Sequence, residues 1–588
     1  MNNIFTKSER FKSEYSCAVV RVGELTPIEG SDFLAKTLVF GTQIVVRKDF
    51  VKEGDIMLYA ANETQLNERF LSLNNLFEIG ERQKNANYKE VNKIMAEYEP
   101  TKAAVTALKD KIKSIKSKSS LIARDIDKTN KKIAKLTTSS SSNEEILSKI
   151  SELQSANQRK VETLTKLNVE SAKLVEEKDK LIENSQHIID KAKELCGFFN
   201  KYGRVKLITL KGEPSFGFLF APESLFAFDP SITKEDVENY VGEEFDTVNG
   251  ELFVKAYVPY VKEPTPRNNM KRAEKRVKKF NRLVEGEFTF HYDTTQLQKS
   301  MDRIKPTDVV DITPKVHGTS AIFGNLIVKS PIKLPFFQRM YNKLIDISGL
   351  FKSMRIKDYE LVYGPIFSSR KVIKNEYINE NTNNGYYESD IWSEYGNFLY
   401  QYLDEGMTVY GEIVGYISNS QKMIQKNYDY GCNEGENKIM FYRITTNGEN
   451  GRKVEWEIPQ IKEWTEKLID KMLANNDENY HRIMPIPILY HGTLGDLYDE
   501  IDETEHWHEN VLEAMKNDKD NFKMEELEPL CKFHEVPREG IVLRIENDPI
   551  NEAFKLKCTR FLGDESKLMD ELAKGGEVDL DEMMEVYS

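Results

Sequence analysis

Residues 311–320 read Asp-Ile-Thr-Pro-Lys-Val-His-Gly-Thr-Ser, with strand-like runs of apolar residues on both sides. In this stretch Lys315 is followed, after one intervening residue, by His317 and Gly318. Alone, a Lys-x-His-Gly tetrapeptide is a weak signal, because a surface lysine on a turn between two strands is the simpler explanation. Its meaning depends on the segments that follow it along the chain.

Five further segments follow in one order, each on a strand-like stretch. They are residues 362–370 (Val-Tyr-Gly-Pro-Ile-Phe-Ser-Ser-Arg), 409–415 (Val-Tyr-Gly-Glu-Ile-Val-Gly), 439–444 (Ile-Met-Phe-Tyr-Arg-Ile), 538–543 (Arg-Glu-Gly-Ile-Val-Leu) and 554–557 (Phe-Lys-Leu-Lys). Chance does not account for this ordered series.

The series resembles the six nucleotidyltransferase motifs of the covalent nucleotidyltransferase superfamily, which contains ATP-dependent ligases and capping enzymes. The resemblance covers about residues 300 to 560. The Lys-x-His-Gly form is similar to RNA ligases, since DNA ligases and capping enzymes usually have Asp at the place of His317. The resemblance implies an ATP-dependent RNA ligase that joins 5′-phosphate and 3′-hydroxyl ends through lysyl-AMP and an adenylylated 5′ end.

The resemblance also implies the roles of individual residues. A lysine amine attacks the α-phosphorus of ATP only when neutral, a state that burial and nearby cations favour, and Lys315 is the implied nucleophile. Lys555 and Lys557 are two apart on a strand, so both side chains should point to one face, where they are implied to contact the α-phosphate. The implied sets are catalytic Lys315 and Lys557; nucleotide-binding Lys315, Arg370, Glu412, Phe441, Glu539, Lys555 and Lys557; and Glu412 and Glu539 as ligands of Mg²⁺ or Mn²⁺.

The fourth segment departs from the family's pattern. Relatives often have an aromatic residue followed by Phe-Asp, but Phe441-Tyr442-Arg443 lacks the Asp. We predict that Phe441 stacks on the adenine, with Tyr442 as the second choice. A core position is the alternative for either ring, because large aromatic side chains are usually buried.

The region before this series predicts a split β-barrel. Short strand-like runs occupy residues 16–23, 35–40, 43–46 and 55–59, and similar runs resume at 204–210 and 217–220. Two half-sets of strands around an insertion favour one OB-like barrel. Residues 25–30, 51–55 and 207–212 also resemble the RNA ligase group with an N-terminal OB domain, which implies action on RNA in a nicked duplex.

The insertion predicts an antiparallel coiled-coil hairpin. No proline occurs from Thr101 to Glu213, and apolar residues from Val105 to Leu136 follow the alternating 3-4 spacing of a heptad seam. A polar break at 137–145 precedes a second seam that runs from Ile146 to Leu195. The hairpin is either a spacer or an arm that self-associates or docks a protein partner, because polar residues on the seam weaken self-sufficient packing.

A strongly basic segment lies between the predicted barrel and the motif series. Residues 267–282 contain eight basic residues and one acidic residue. Such a run is either a solvated charged surface or a contact for nucleic acid. The candidate nucleic-acid contacts are Arg267, Lys271, Arg272, Lys275 and Arg276.

Composition excludes several classes of protein. The 588 residues carry a net charge of −13, which argues against indiscriminate binding to phosphate backbones along the whole chain. The five cysteines lie far apart, without zinc-ligand spacing. The first residues do not resemble a signal peptide and no apolar run is long enough to span a membrane, so we predict a cytoplasmic chain with no membrane partner.

These observations predict an α+β chain. Its predicted parts are residues 1–85 and 201–262 as the OB-like domain, 86–200 as the coiled-coil insertion, 263–560 as the nucleotidyltransferase domain and 561–588 as an acidic tail. Trp456 to Lys532 is predicted as a helical insertion or lobe. The alternatives in function are a DNA ligase, a capping guanylyltransferase, or a coiled-coil scaffold with an inactive ligase domain.

Overall fold

A computed structural model describes residues 4–139, 144–258, 281–348, 354–375, 390–448, 452–504, 506–548 and 552–573. The chain forms two units by its internal contacts. Unit 1 contains Met1–Thr64, Val205–Phe220 and Val237–Ser588, and unit 2 contains Gln65–Arg204 and Ala221–Asp236. Within the described ranges, no helix has both the length and the apolar character needed to cross a bilayer.

The strands and helices have the following bounds. The strands are β1 (Phe5–Thr6), β2 (Cys17–Arg21), β3 (Thr26–Pro27), β4 (Leu34–Val39), β5 (Thr42–Arg47), β6 (Ile56–Ala60), β7 (Thr64–Leu66), β8 (Arg204–Val205), β9 (Ile208–Leu210), β10 (Glu213–Ser215), β11 (Phe218–Phe220), β12 (Glu244–Phe245), β13 (Thr247–Val248), β14 (Glu251–Leu252), β15 (Val254–Ala256), β16 (Thr295–Gln296), β17 (Val309–Pro314), β18 (Thr319–Pro331), β19 (Tyr359–Ser368), β20 (Met407–Gly415), β21 (Asn437–Asn447), β22 (Lys453–Glu455), β23 (Ile483–Met484), β24 (Tyr490–Thr493), β25 (Gly540–Ile545) and β26 (Ala553–Lys557). The helices are α1 (Glu68–Leu73), α2 (Tyr88–Ser139), α3 (Glu144–Glu194), α4 (Glu223–Phe228), α5 (Lys234–Glu238), α6 (Phe336–Ser348), α7 (Ile391–Leu399), α8 (Ile458–Ala474), α9 (Leu494–Leu497), α10 (Trp507–Asn517) and α11 (Thr559–Ala573).

The first strands of unit 1 form several small antiparallel sheets. One has the order β11-β6-β2-β12 and another the order β3-β4-β5. Strand β2 is apolar over most of its length because it lies between β6 and β12, where Val19 pairs with Leu58. In the part of the chain that the structure describes, these strands are separate sheets and no closed barrel is found. The OB-like barrel therefore stays a prediction.

Two larger sheets form the second part of unit 1. One has the order β16-β26-β25-β17-β24, and the other has the order β19-β18-β20-β21-β22, with β23 beside β21. Most pairs are antiparallel, but β16 with β26 and β21 with β23 are parallel. Buried residues of both sheets, such as Ile312 and Met440, share one hydrophobic cluster. These features confirm the predicted mixture of helices and antiparallel sheets.

The stretch from Trp456 to Lys532, predicted as a helical insertion or lobe, is helical, but its helices differ from a lobe because they pack into the two cores. Helix α8 packs on β21, where Ile461 and Leu468 join a cluster that contains Phe441. Helix α10 places Trp507 and Met515 in the cluster that contains Ile312. The helices of this stretch are therefore parts of the two cores, because their apolar faces cover the two sheets.

The first part of the predicted tail, as far as residue 573, also differs from the prediction. Helix α11 continues past residue 561 to Ala573, and Phe561 and Met569 are buried. The acidic composition of this segment led to the prediction of a tail, but the segment is an amphipathic helix whose apolar side is buried. The strongly acidic residues 577–582 lie outside the described part.

Unit 2 contains the predicted helical hairpin. Helices α2 and α3 have 52 and 51 residues. Helix α2 begins before Thr101 and runs through Pro100, because Val91 and Met95 pack against Ala192 and hold its first turns in place. The arms meet along the predicted seam, where Asn157 Nδ2 donates to Asn130 Oδ1 at 2.6 Å.

Candidate active site

A cavity of about 1060 Å³ lies among residues of the two large sheets and the segment 11–15, which connects β1 to β2. It collects residues that are far apart in the sequence. Six of the predicted site residues line it: Lys315, Arg370, Glu412, Glu539, Lys555 and Lys557.

Lys315 is positioned by the loop that follows β17. Its backbone N–H donates to Gly540 O at 2.8 Å, which fastens the loop to the start of β25. Gly318 then passes so close to β20 that a Cβ atom there would lie 2.3 Å from Ile413 O. This close approach explains why the fourth position of the Lys-x-His-Gly stretch is glycine.

Glu539 is the central anion of the cavity. Its Oε1 atom lies 2.6 Å from Lys315 Nζ and 3.9 Å from Lys557 Nζ, and its Oε2 atom lies 3.4 Å from His317 Nδ1. Burial alone would raise the pKa of Glu539, but Lys315, His317 and Lys557 outweigh burial and hold this pKa well below its usual range. Glu539 is therefore an anion that aligns Lys315.

Lys555 and Lys557 both face the cavity, as their spacing on β26 predicts. Lys557 Nζ donates to Glu565 Oε1 of α11 at 2.9 Å. Burial lowers the pKa of Lys557, but Glu565, Glu539 and Glu14 together raise it above its ordinary value. Burial lowers the pKa of Lys555. The two lysines thus line one side of the cavity, where they can bind an anionic ligand.

A turn from the N-terminal region places the carboxylate of Glu14 against Lys555. Glu14 lies in the single-turn helix Ser13–Tyr15 and forms an ion pair with Lys555. Burial would raise the pKa of Glu14, but Lys555, then Lys557 and Arg370, lower it. Glu14 is therefore an anion among three cations that line the cavity.

Lys299 holds this turn in place. Its side chain is 7% exposed, and its Nζ donates to Ser13 O and to Glu244 Oε1, both at 2.5 Å. Ser13 and Ser16 hydroxyls also donate to Glu244. The hydrogen bonds among Lys299, Glu244, Ser13 and Ser16 hold the turn that carries Glu14. The position of Glu14 therefore does not depend on its contact with Lys555 alone.

Glu412 faces the cavity from β20. Burial raises its pKa to about 8; Lys315 opposes this shift and Glu539 adds to it. Oε2 of Glu539 is buried and has only His317 Nδ1 near it, at 3.4 Å, among the described ionisable groups. Two carboxyl groups that face one cavity fit the oxygen-ligand preference of Mg²⁺ or Mn²⁺. The residues present are therefore compatible with the predicted metal.

Arg370 lines the cavity from the loop that follows β19. Its guanidinium is 2.6 Å from Asp293 Oδ1. Burial lowers the pKa of Arg370, but Asp293 raises it above its usual value. His291 is nearby, and burial followed by the Arg370 charge lowers its pKa to about 3, so its ring is neutral. Of the two neighbouring side chains, Arg370 is therefore charged and His291 is not.

The structure does not place Phe441 in the cavity. Phe441 is fully buried in the cluster with α8 and contacts Trp464, with ring centroids 5.6 Å apart. Its neighbours Met440 and Tyr442 line the cavity, because successive side chains of a strand point to opposite faces. Of the two predicted rings, only Tyr442 can therefore reach a ligand in the cavity.

Arg443 follows these residues and is also buried. Its Nε lies 2.8 Å from Glu455 Oε1, and Arg544 lies 2.7 Å from the same oxygen. One glutamate thus pairs with two arginines at the edge of the cavity.

Several cavity residues were not predicted from the sequence. His317 packs edge-on against Tyr428 and Phe561, with ring centroids 4.7 and 5.0 Å away, and its backbone N–H donates to Tyr430. Glu14 and Glu565 were missed because neither belongs to a motif. For Glu565, the amphipathic pattern of α11 was the only available signal.

The predicted nucleic-acid contacts Arg267, Lys271, Arg272, Lys275 and Arg276 lie outside the described residues. Their role stays a prediction.

No protein-family model and no curated protein matches the chain. Among solved structures, an RNA ligase mutant of Naegleria gruberi with ATP and Mn is 12% identical, with a TM-score of 0.40, over 93% of this chain and 98% of that one. The same ligase with pyrophosphate is 12% identical, with a TM-score of 0.40, over 95% and 100% of the chains. At this level of similarity these neighbours establish neither the family nor the function of this chain.

Proposed function

We propose that the chain is an ATP-dependent RNA ligase that forms a covalent lysyl-AMP on Lys315. The observation that carries this proposal is the position of Lys315, whose Nζ lies 2.6 Å from Glu539 in a cavity that Lys555 and Lys557 also line. A nucleophilic amine, a carboxylate that aligns it and cations for phosphate are the groups that adenylyl transfer needs.

The proposed reaction has three steps. The Lys315 amine attacks the α-phosphorus of ATP, a nitrogen–phosphorus bond forms, and pyrophosphate leaves. AMP then passes to a 5′-phosphate, which gives a 5′-5′ pyrophosphate-linked end. A 3′-hydroxyl attacks that end and expels AMP, which leaves a phosphodiester.

The cavity residues have separate tasks in this scheme. Lys555, Lys557 and Arg370 would bind phosphoryl oxygens, because their positive charges face the cavity. Glu412 and Glu539 would hold Mg²⁺ or Mn²⁺, which supplies positive charge to the phosphates when bound. Tyr442 is the ring best placed to contact the base, since it lines the same cavity.

Covalent labelling tests this proposal. The protein is incubated with ATP or GTP labelled at the α-phosphate and then denatured, so that only covalent label remains. We expect label from ATP and not from GTP, and no label on Lys315→Ala. Lys305→Ala is the matched control, because Lys305 is exposed and does not line the cavity. Label on the Lys315→Ala protein would disprove the assignment.

Sealing assays distinguish RNA from DNA ligation. We propose RNA because of the Lys-x-His-Gly form, and we expect faster sealing of a nick with an RNA 3′-hydroxyl than of an all-DNA nick. GTP labelling would instead favour the capping alternative. The OB-like barrel and the basic segment are proposed to bind the duplex, so changing Arg267, Lys271, Arg272, Lys275 and Arg276 to Ala should slow sealing without reducing lysyl-AMP formation.

A further inference from the structure

Helix α6 turns its apolar side away from the rest of the chain. The buried side chains of α6 are Asn342 and Ile345, at 4% and 7% exposure. Asn342 accepts from the Ile356 N–H at 2.9 Å and donates to Ile356 O at 2.8 Å, which ties that side of the helix to the following segment. A surface helix normally buries its apolar stripe, so this orientation is reversed.

The exposed side of α6 is strongly apolar. We define the α6 face as Phe336, Phe337, Met340 and Leu344, which are 60%, 83%, 50% and 62% exposed. These residues are spaced at intervals of one, three and four positions, so they form one continuous stripe on a helix. Contiguous exposed apolar side chains on a protein surface often mark a site that binds a partner.

The α6 face stands at the end of a two-stranded arm. Strand β18 pairs with β20 only from Thr319 to Gly324, but it pairs with β19 as far as Pro331. Helix α6 lies in the connection between these two strands. On β19, Leu361, Val362 and Tyr363 are also exposed, so the arm itself carries exposed apolar side chains.

The connection is positively charged in a chain that is negative overall. Its described residues include Lys333, Arg339, Lys343 and Lys357, none of which has an acidic partner among the residues that the structure describes. The two acidic residues of the connection, Asp346 and Asp358, are both paired with Arg355. Helix α6 therefore carries the exposed apolar residues together with two of these cations, Arg339 and Lys343, and the other two lie in the segments on either side of it.

We propose that the α6 face binds reversibly to an anionic lipid surface. A short helix with Phe and Leu on one side and Lys or Arg at its border lies in the plane of a membrane interface, where the apolar side chains enter the acyl boundary and the cations meet lipid headgroups. An RNA partner explains the cations, but it does not explain exposed Met340 and Leu344. This inference departs from the prediction of no membrane partner and is independent of the proposed ligase activity.

Vesicle flotation with the full chain tests this inference. The protein is mixed with vesicles of phosphatidylcholine alone, or of phosphatidylcholine with phosphatidylserine. We expect binding to the anionic vesicles that weakens with salt, and little binding to the neutral ones. Phe337→Glu with Leu344→Glu should abolish it. Arg339→Gln with Lys343→Gln should weaken it by about fivefold for each charge removed.

The matched control is Phe533→Glu with Leu473→Glu. These residues are also an exposed phenylalanine and an exposed leucine, at 58% and 45%, but they belong to other elements, since Leu473 is on α8 and Phe533 is in the loop before β25. The control should float like the unchanged protein, and circular dichroism should show that all variants are folded. The inference fails if the unchanged protein does not bind anionic vesicles, or if the α6 variants bind as well as the control. It also fails if sedimentation shows that the α6 variants lose self-association instead, or if they lose only RNA binding.

Discussion

Glu14 and Lys555 form an ion pair that connects the N-terminal strands of unit 1 to the candidate active site. The carboxylate of Glu14 occupies a position among Lys555, Lys557 and Arg370, where an anionic ligand would also be attracted. A phosphate that enters this position must therefore displace Glu14 or share the cations with it.

Glu14→Gln should strengthen ATP binding. The amide keeps the shape of the side chain but removes the negative charge, so a phosphate no longer competes with a carboxylate. We expect the KM for ATP in lysyl-AMP formation to fall by about threefold to tenfold, which corresponds to roughly 1 kcal/mol. The measurement is the initial rate of covalent labelling against ATP concentration.

Glu9→Gln is the control for that experiment, because Glu9 is exposed on the same N-terminal segment and does not line the cavity. It should leave the KM unchanged. A higher KM for the Glu14→Gln protein would show that Glu14 assists nucleotide binding and does not compete with phosphate.

Gly318→Ala should disrupt the loop that carries Lys315. The added methyl group would lie 2.3 Å from Ile413 O, so the loop or β20 must move. We expect a loss of about 1–3 kcal/mol in the free energy of unfolding and roughly a 100-fold slower labelling rate, since a small displacement of a nucleophile is costly. Gly23→Ala is the control, as nothing lies within 4 Å of its added Cβ. Equal labelling by both variants would contradict the role of this close approach.

The raised pKa of Glu412 should make the free energy of unfolding depend on pH. Its pKa is raised from 4.5 to about 8, so the folded protein holds this proton more tightly than the unfolded chain. The stability that this adds is fully present below about pH 4.5 and is lost as pH rises through about 8, on the order of 5 kcal/mol in total. Glu412→Gln removes this dependence.

Thermal melting in the presence of a chelator measures this effect. The melting temperature of Glu412→Gln minus that of the unchanged protein should be larger at about pH 9 than at about pH 5. Glu405→Gln, on a nearby exposed loop, should show no such change. A difference that is the same at both pH values would mean that Glu412 is not buried as a proton-holding group.

Removal of the outer hairpin should leave the chemistry intact. Asp125 pairs with Lys160 and Asn130 with Asn157, so Val105 lies opposite Leu181. A short Gly-Ser linker can therefore replace residues 106–180 and keep the base of the hairpin. We expect near-normal lysyl-AMP formation and, by sedimentation, a lower association state.

A second variant changes exposed residues of the hairpin and keeps its helices, so it tests whether association depends on the surface of the hairpin. Leu121 and Val161 are 61% and 41% exposed, so changing both to Glu leaves the seam in place. This variant should also associate less. If the deletion and the double variant keep the association state and the sealing rate of the full chain, the hairpin is a passive spacer.

The parts of the cavity that carry motif residues could be predicted from the sequence. Lys315, Glu539 and Lys557 belong to separate segments, and their order along the chain indicated that they meet. The structure places Lys315 Nζ and Lys557 Nζ each within 4 Å of Glu539 Oε1. Local pattern also predicted the hairpin, because its apolar seam repeats over many turns.

Other features depend on tertiary contacts that no local pattern records. Phe441 and Tyr442 are adjacent aromatic residues on a strand that is buried on both faces, so the sequence could not tell which ring faces the cavity. Glu14 reaches Lys555 only because Lys299 holds its turn. The apolar stripe of α6 suggests a helix packed on a core, but the structure turns it outward.

The shared pairing of Arg443 and Arg544 with Glu455 has an evolutionary consequence. Loss of either arginine leaves the other paired with Glu455, but loss of Glu455 removes the carboxylate that both buried arginines share. Substitution histories at these three positions should therefore be asymmetric. Lineages that replace Glu455 should already have lost at least one arginine, so in a set of related sequences the glutamate should not be the first of the three to change.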